Sequence, residues 1–187
     1  MSNHIISVSE KLLKSDLGVL YEIAEALLAV KKNGDIIFTA GNGGSGATAS
    51  HMANDLIKGC AVNGNPGFRA VSLVDSSPVL TCLSNDFSYD DVFSFQLRSL
   101  ARPGDILIVF SGSGNSPNII KALEYARKNA IKSMAFGGGA GGKMNGLADT
   151  LMLAPTERME EIEDMHMVYE HALSAYMRER LSAEVWY

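Results

Sequence analysis

Two side chains four residues apart, His51 and Asp55, lie just beyond a glycine-rich run, Gly41-Asn42-Gly43-Gly44-Ser45-Gly46. On a helix this spacing puts an imidazole and a carboxylate on one face, with Cβ atoms ~6 Å apart. Such a pair can bind a divalent ion or move a proton. The glycine run can offer backbone N–H groups to an anion, because a helix start carries free donors and the positive end of the dipole. A second run, Ser111-Gly112-Ser113-Gly114-Asn115-Ser116, is followed by Pro117. Ser116 suits an N-cap and Pro117 the first helical position. Three hydroxyls therefore stand at a helix start. Neither run contains Lys or Arg, so neutral donors would hold a phosphomonoester without a cationic clamp. Glu163, His166, Glu170 and His171 add metal-capable groups near the C-terminus. Glu163 and His171 are eight residues apart, an offset of about 80° on a helix. They could reach a shared point if that helix approaches the cleft. Zinc accepts two imidazoles and two carboxylates in a tetrahedral site. Each feature also has a plain structural reading: a solvated His/Asp pair, a Ser/Gly turn, an acidic helix face.

Two other motif readings fit poorly. Gly41–Gly46 matches the dinucleotide pattern G-x-G-x-x-G, which wants an acid about 20 residues on, at the end of the next strand. Asp75 follows that strand but sits too far along the chain. The stretch Gly137-Gly138-Gly139-Ala140-Gly141-Gly142-Lys143-Met144 nearly fits a Walker A loop. Met144 stands where a Ser or Thr should hold Mg²⁺, and the stretch follows the fourth strand rather than the first. It reads as a flexible connection, and ATP hydrolysis is rejected.

Five apolar runs read as strands: Ile36–Thr39, Ala70–Val74, Ile106–Phe110, Ser133–Phe136 and Thr150–Leu153. Helix-like segments separate several of them, which argues for an α/β fold with a parallel sheet covered on both faces. An amphipathic helix is expected over residues 7–32, stopping near Asn33-Gly34, and a closing helix over Glu157–Leu181. Residues 1–187 read as a single domain with one core. Ligands of open α/β sheets bind where strands end and helices begin, which points at the loops after Thr39 and Phe110. The formal charge of −5 argues against nucleic acid as a partner, since such proteins show basic clustering. No apolar stretch reaches the ~18 residues needed to span a bilayer, so no membrane partner is expected. Met1-Ser2-Asn3-His4 lacks the layout of a signal peptide, and the expected location is the cytoplasm. Cys60 and Cys82 lack metal spacing and read as reduced core thiols.

Taken together the motifs resemble the sugar isomerase (SIS) domain, specifically the bacterial phosphoheptose isomerases, over nearly the whole chain. The anchors are Ala40–Ser45, His51-x-x-x-Asp55, Asn85-Asp86-Phe87, Gly104–Leu107, Ser111–Ser116, Gly141–Met144 and Ile162–His166. The resemblance implies a three-layer αβα sandwich with a five-stranded parallel sheet. It also implies a homotetramer with active sites at subunit interfaces. Substrate contacts would fall on Asn42, Gly43, Gly44, Ser45, Asn85, Asp86, Ser111, Gly112, Ser113 and Ser116, with Glu163 beside them. Zinc or another divalent metal would be held by His51, Asp55, Glu163 and His171. Asp55 would be the catalytic base and His171 the acid.

Three positions depart from the family pattern: Asp55 replaces a usual Glu, Glu163 a usual Gln, and Gly112 a usual Thr. Aspartate is one methylene shorter, so its helix would have to sit closer for it to serve. The implied reaction is aldose–ketose isomerisation of a phosphorylated sugar through an enediol, with sedoheptulose 7-phosphate as the expected substrate. Two other readings stay open: an isomerase of another sugar phosphate, and a non-catalytic adaptor of the same fold.

Overall fold

Strand β3 (Ile106–Ser111) turns Ile108 and Phe110 to one side of the sheet and Leu107 and Val109 to the other, and all four are buried. That is the period-two alternation of a strand covered on both faces. The computed structural model describes residues 2–183. β3 pairs on one side with β1 (Ile36–Gly41) and on the other with β4 (Lys132–Gly138). β2 (Arg69–Ser72) and β5 (Thr150–Ala154) complete an all-parallel sheet of order β2-β1-β3-β4-β5. The expected three-layer α/β architecture with five parallel strands is present.

One face of the sheet is covered by α1 (Ser2–Leu12), α2 (Leu17–Asn33), α3 (Gly43–Asn54) and α7 (Met159–Ala183). The other is covered by α4 (Ser77–Asp86), α5 (Val92–Leu100) and α6 (Pro117–Lys128). Phe110 and Phe136 stack at 4.7 Å between centroids in the first of these layers.

Two sequence expectations need correcting here. The leading helix expected over 7–32 is two helices: the first ends at Leu12, and Asp16 caps the second, its carboxylate accepting from the Gly18 N–H at 2.9 Å. The second ends at Gly34 in the left-handed region, φ 75°, which glycine tolerates without strain. Cys60 is a buried free thiol as expected, but Cys82 is exposed, because α4 packs through Leu83 and leaves the neighbouring position facing outward. The closing helix begins at Met159 and runs to Ala183.

Glu161 ties the start of α7 to α1. Glu161 is fully buried, accepts from Ser7 Oγ at 2.8 Å and Thr156 Oγ1 at 2.6 Å, and pairs with the Lys11 ammonium. Those bonds, the Lys11 bond foremost, hold its pKa down at about 2. A depressed folded-state pKa stabilises the fold above the ordinary glutamate range, and the contribution is lost as pH falls toward the folded value. Glu161→Gln should therefore lower the denaturation midpoint at neutral pH, and the gap from wild type should shrink as pH falls from about 4.5 toward about 2. Urea titrations at several pH values check this, and a gap independent of pH counts against it.

Candidate functional site

The chain leaves β1 for β2 on one flank and then crosses to β3 on the other flank of β1. The carboxyl ends of β1 and β3 therefore frame the topological switch point, where loops part and leave a crevice. Both motif-bearing loops emerge there. A cavity of about 300 Å³ is lined by residues 42–45 of the first loop, by Ser111, Gly112, Ser113 and Ser116 of the second, and by Met159 and Glu163 of α7.

Close backbone approach explains the glycines. A Cβ on Gly41 would lie 2.4 Å from the Ser45 carbonyl oxygen, so a side chain there would block the tight entry into α3. A Cβ on Gly114, at φ 63°, would lie 2.0 Å from the Gly141 carbonyl oxygen. The third glycine stretch is thus a brace and not the flexible connection expected. Met144 donates its N–H to the Gly114 carbonyl at 3.1 Å, and Lys143 its N–H to Asn115 Oδ1 at 3.1 Å. Gly112 leaves room for Met159: a Cβ there would sit 2.4 Å from the Met159 sulfur.

Ser113 and Ser116 both reach the cavity at the start of α6, while Ser111 uses its hydroxyl to accept from the Gly114 N–H at 3.2 Å. The side chain of Asn42 is otherwise engaged. Its Oδ1 accepts from Tyr89 Oη and from Asn118 Nδ2, both at 2.8 Å, and its Nδ2 donates to Asn118 Oδ1 at 2.9 Å. Asn42 therefore fixes its loop to α6 through its side chain and faces the cavity chiefly with backbone. Tyr89, Asn118 and Met159 were not among the sequence candidates, because nothing in residue type or spacing marks a tertiary hydrogen-bond ring. Asn85 and Asp86 do not line this cavity. They are exposed at the end of α4, where the Asn85 amide bonds the neighbouring Asp86 carboxylate at 2.8 Å.

The second part of the site lies between α3 and α7. His51 Nε2 and His171 Nε2 face each other at 3.0 Å, with the rings at 76°. Asp55 Oδ2 lies 3.7 Å from His51 Nε2. Glu170 Oε2 lies 3.9 Å from His51 Nε2 and 3.6 Å from His171 Nε2. One donor atom from each of these four residues falls within 4.8 Å of the others. Both oxygens of Glu170 are buried without a hydrogen-bond partner among the described residues. Burial, and then the nearby Asp55 carboxylate, push the Glu170 carboxyl up to about 8. A buried carboxylate is costly unless paired or bound to a cation. Two imidazoles and two carboxylates converging in this way are a donor set that zinc accepts.

Glu163 lies outside that cluster. Its carboxylate lies against Gly44, where an added Cβ would be 2.5 Å from Oε1. Glu170 stands seven residues further along α7, a rise of ~10 Å. Spacing alone leaves Glu163 and Glu170 both open, and Glu163 is the expected ligand only as the family resemblance implies. Glu170 and His171 approach each other at 3.6 Å, and His51 reaches both from α3. His166 is core: it is fully buried and can donate Nε2–H to the Gly137 carbonyl at 3.2 Å, and burial lowers its pKa to about 4 despite that bond. Asp55 stands where α3 opens into a single wider turn over Asp55–Gly59, closed by Cys60 N–H to the Asp55 carbonyl at 2.9 Å. Single turns of this kind recur at functional sites.

The family model for the SIS domain matches residues 2–138. A phosphoheptose isomerase of Akkermansia muciniphila is 35% identical over 171 residues, 90% of each chain. The chain belongs to the phosphoheptose isomerase family. Among solved structures, a phosphoheptose isomerase from Neisseria gonorrhoeae superposes with a TM-score of 0.86 at 32% identity, covering 93% of this chain and 92% of that one. One from Francisella tularensis gives a TM-score of 0.88 at 25% identity, with the same coverage. In this phosphoheptose isomerase family member, the cavity and the His/carboxylate cluster lie along one seam. Gly44 meets Glu163 at its head, and His51 meets His171 further down.

The Asn42–Asn118–Tyr89 ring makes a direct prediction. Asn118 is 2% exposed, so Asn118→Ala strands the Asn42 amide and should cost about 1–3 kcal/mol. Thermal denaturation checks the loss. An unchanged melting temperature would mean that the ring does not hold the loop.

Proposed function

We infer that this chain is a phosphosugar isomerase that interconverts sedoheptulose 7-phosphate and D-glycero-D-manno-heptose 7-phosphate. The observation that carries the reading is the seam: a hydroxyl-rich cavity at one end and facing imidazoles with carboxylates at the other. Gly44 and His51 are seven residues apart on α3, a rise of ~10 Å. An extended seven-carbon chain spans about 8 Å from its first to its last carbon before the phosphate is added. The seam is therefore long enough to hold such a substrate end to end. Family membership supports the same reaction class.

Isomerisation removes a proton from C1 of the ketose and returns one to C2, moving the carbonyl from C2 to C1 with the carbon skeleton intact. The C–H is a weak acid, so the developing enediolate needs stabilisation aimed at its oxygens. His51, Asp55 and His171 would hold zinc or another divalent cation, and the donor set and the buried carboxylate beside it fit one. When bound, the cation supplies Lewis acidity toward the sugar oxygens. Asp55 is the proposed base for the carbon-bound proton and His171 the acid that serves the oxygen. Tight metal binding by Asp55 would compete with its role as base, because a ligating lone pair is less available to a proton. Ser113 and Ser116, at the start of α6, would hold the phosphate. Asn85 and Asp86 lie outside this protomer's cavity, which suits a homotetramer in which a neighbouring subunit completes the site.

His171→Ala should lower kcat at least ~10²-fold with an unchanged circular dichroism spectrum, and a chelator should abolish turnover of sedoheptulose 7-phosphate by wild type. Full activity in either case removes His171 or the metal from the reaction. Ser113→Ala and Ser116→Ala should each raise KM about 10- to 100-fold with little change in kcat, the value of a hydrogen bond to a charged group. If KM stays put in both variants, the phosphate binds elsewhere.

A further inference from the structure

We propose that Glu170, and not Glu163, is the fourth protein ligand of the divalent cation held by His51, Asp55 and His171. This rests on reading that cluster as a metal site. In a tetrahedral site with ligands about 2.0–2.2 Å from the metal, donor atoms stand roughly 3.3–3.6 Å from one another. The His51–His171, His51–Asp55, His51–Glu170 and His171–Glu170 donor separations are 3.0, 3.7, 3.9 and 3.6 Å. Shifts of a few tenths of an ångström would bring these four separations to the tetrahedral value, and the Asp55 donor lies within 4.8 Å of those of Glu170 and His171.

Glu170 has no other employment. Its side chain has zero exposure, and neither oxygen has a hydrogen-bond partner among the described residues. A carboxylate in that position stays costly until a cation or donor meets it. Glu163 differs on each count: it is only partly buried, lines the cavity and lies against Gly44 at the head of the seam. Glu170 also supplies a second carboxylate, so that with Asp55 two negative charges offset the charge of the ion. Glu163 is then left beside the substrate cavity.

The test uses the full chain, stripped of metal and titrated with cobalt(II), whose visible spectrum reports coordination and whose affinity is read by competition with a chromophoric chelator. Wild type should take up one cobalt per chain with an intense tetrahedral-type spectrum. Glu170→Gln and Glu170→Leu should each weaken binding more than the roughly 10- to 100-fold typical of changes behind the ligands, and should abolish the cobalt-induced rise in melting temperature. Glu163→Gln should keep the spectrum, with affinity within about threefold of wild type. Without cobalt, the Glu170 variants should melt no lower than wild type, since they remove an unpaired buried carboxylate. If Glu163→Gln loses the cobalt and Glu170→Gln keeps it, the ligand assignment is overturned while the metal reading survives. If wild type binds no cobalt, or His51→Ala and His171→Ala bind it as tightly as wild type, the metal reading itself fails.

Discussion

The side-by-side packing of α3 and α7 is the constraint on which the rest of the site depends. The two helices run in the same direction, with Gly44 against Glu163, His51 against His171, and Asp55 within 3.5 Å of the Ser174 hydroxyl. Equal rise per residue keeps these rungs in step. A shift of one residue in either helix would turn a rung by about 100° and disperse the imidazoles. α3 is rich in glycine, alanine and serine, poor material for an isolated helix where glycine is concerned. Its stability must come from packing on the sheet and on α7, and its small residues permit the close approach.

The sheet sets where that seam opens. Parallel strands deliver every connection to the same edge, and the reversal of order between β1 and β3 parts two loops there. The loops are stiffened from outside. Asn42 is locked by Asn118 and Tyr89, and Ser111–Ser116 is propped by the turn around Gly141–Met144. This matters because neither loop contains a lysine or arginine. Neutral donors bind an anion well only if they are already aimed, because any reordering on binding is subtracted from a modest interaction.

Much of the fold was legible in the sequence. The five strands fall within a few residues of their expected places, since buried strands declare themselves as short apolar runs. The helix start at Pro117 was legible from its capping residues. The break at Asp16 was missed because the apolar pattern carries on across it, and only the cap geometry shows that two helices share one periodicity. Cys82 was misplaced because a thiol has no periodic signature of its own. The glycine stretch after β4 was misread for a related reason: composition cannot distinguish a loose linker from a backbone packed against backbone.

The sequence by itself determined the chemistry available: two glycine- or serine-rich loops at strand ends, and a set of imidazoles and carboxylates on two helices. It determined these because residue type, local spacing and capping are short-range properties. Which carboxylate joins the imidazoles was decided only in three dimensions. Glu163 and Glu170 are both reasonable partners along one helix. The register of α7 on α3 buries Glu170 between His51 and His171 and sends Glu163 to Gly44. That register is set by the whole core acting together, through contacts between residues more than a hundred positions apart, and no local pattern encodes it.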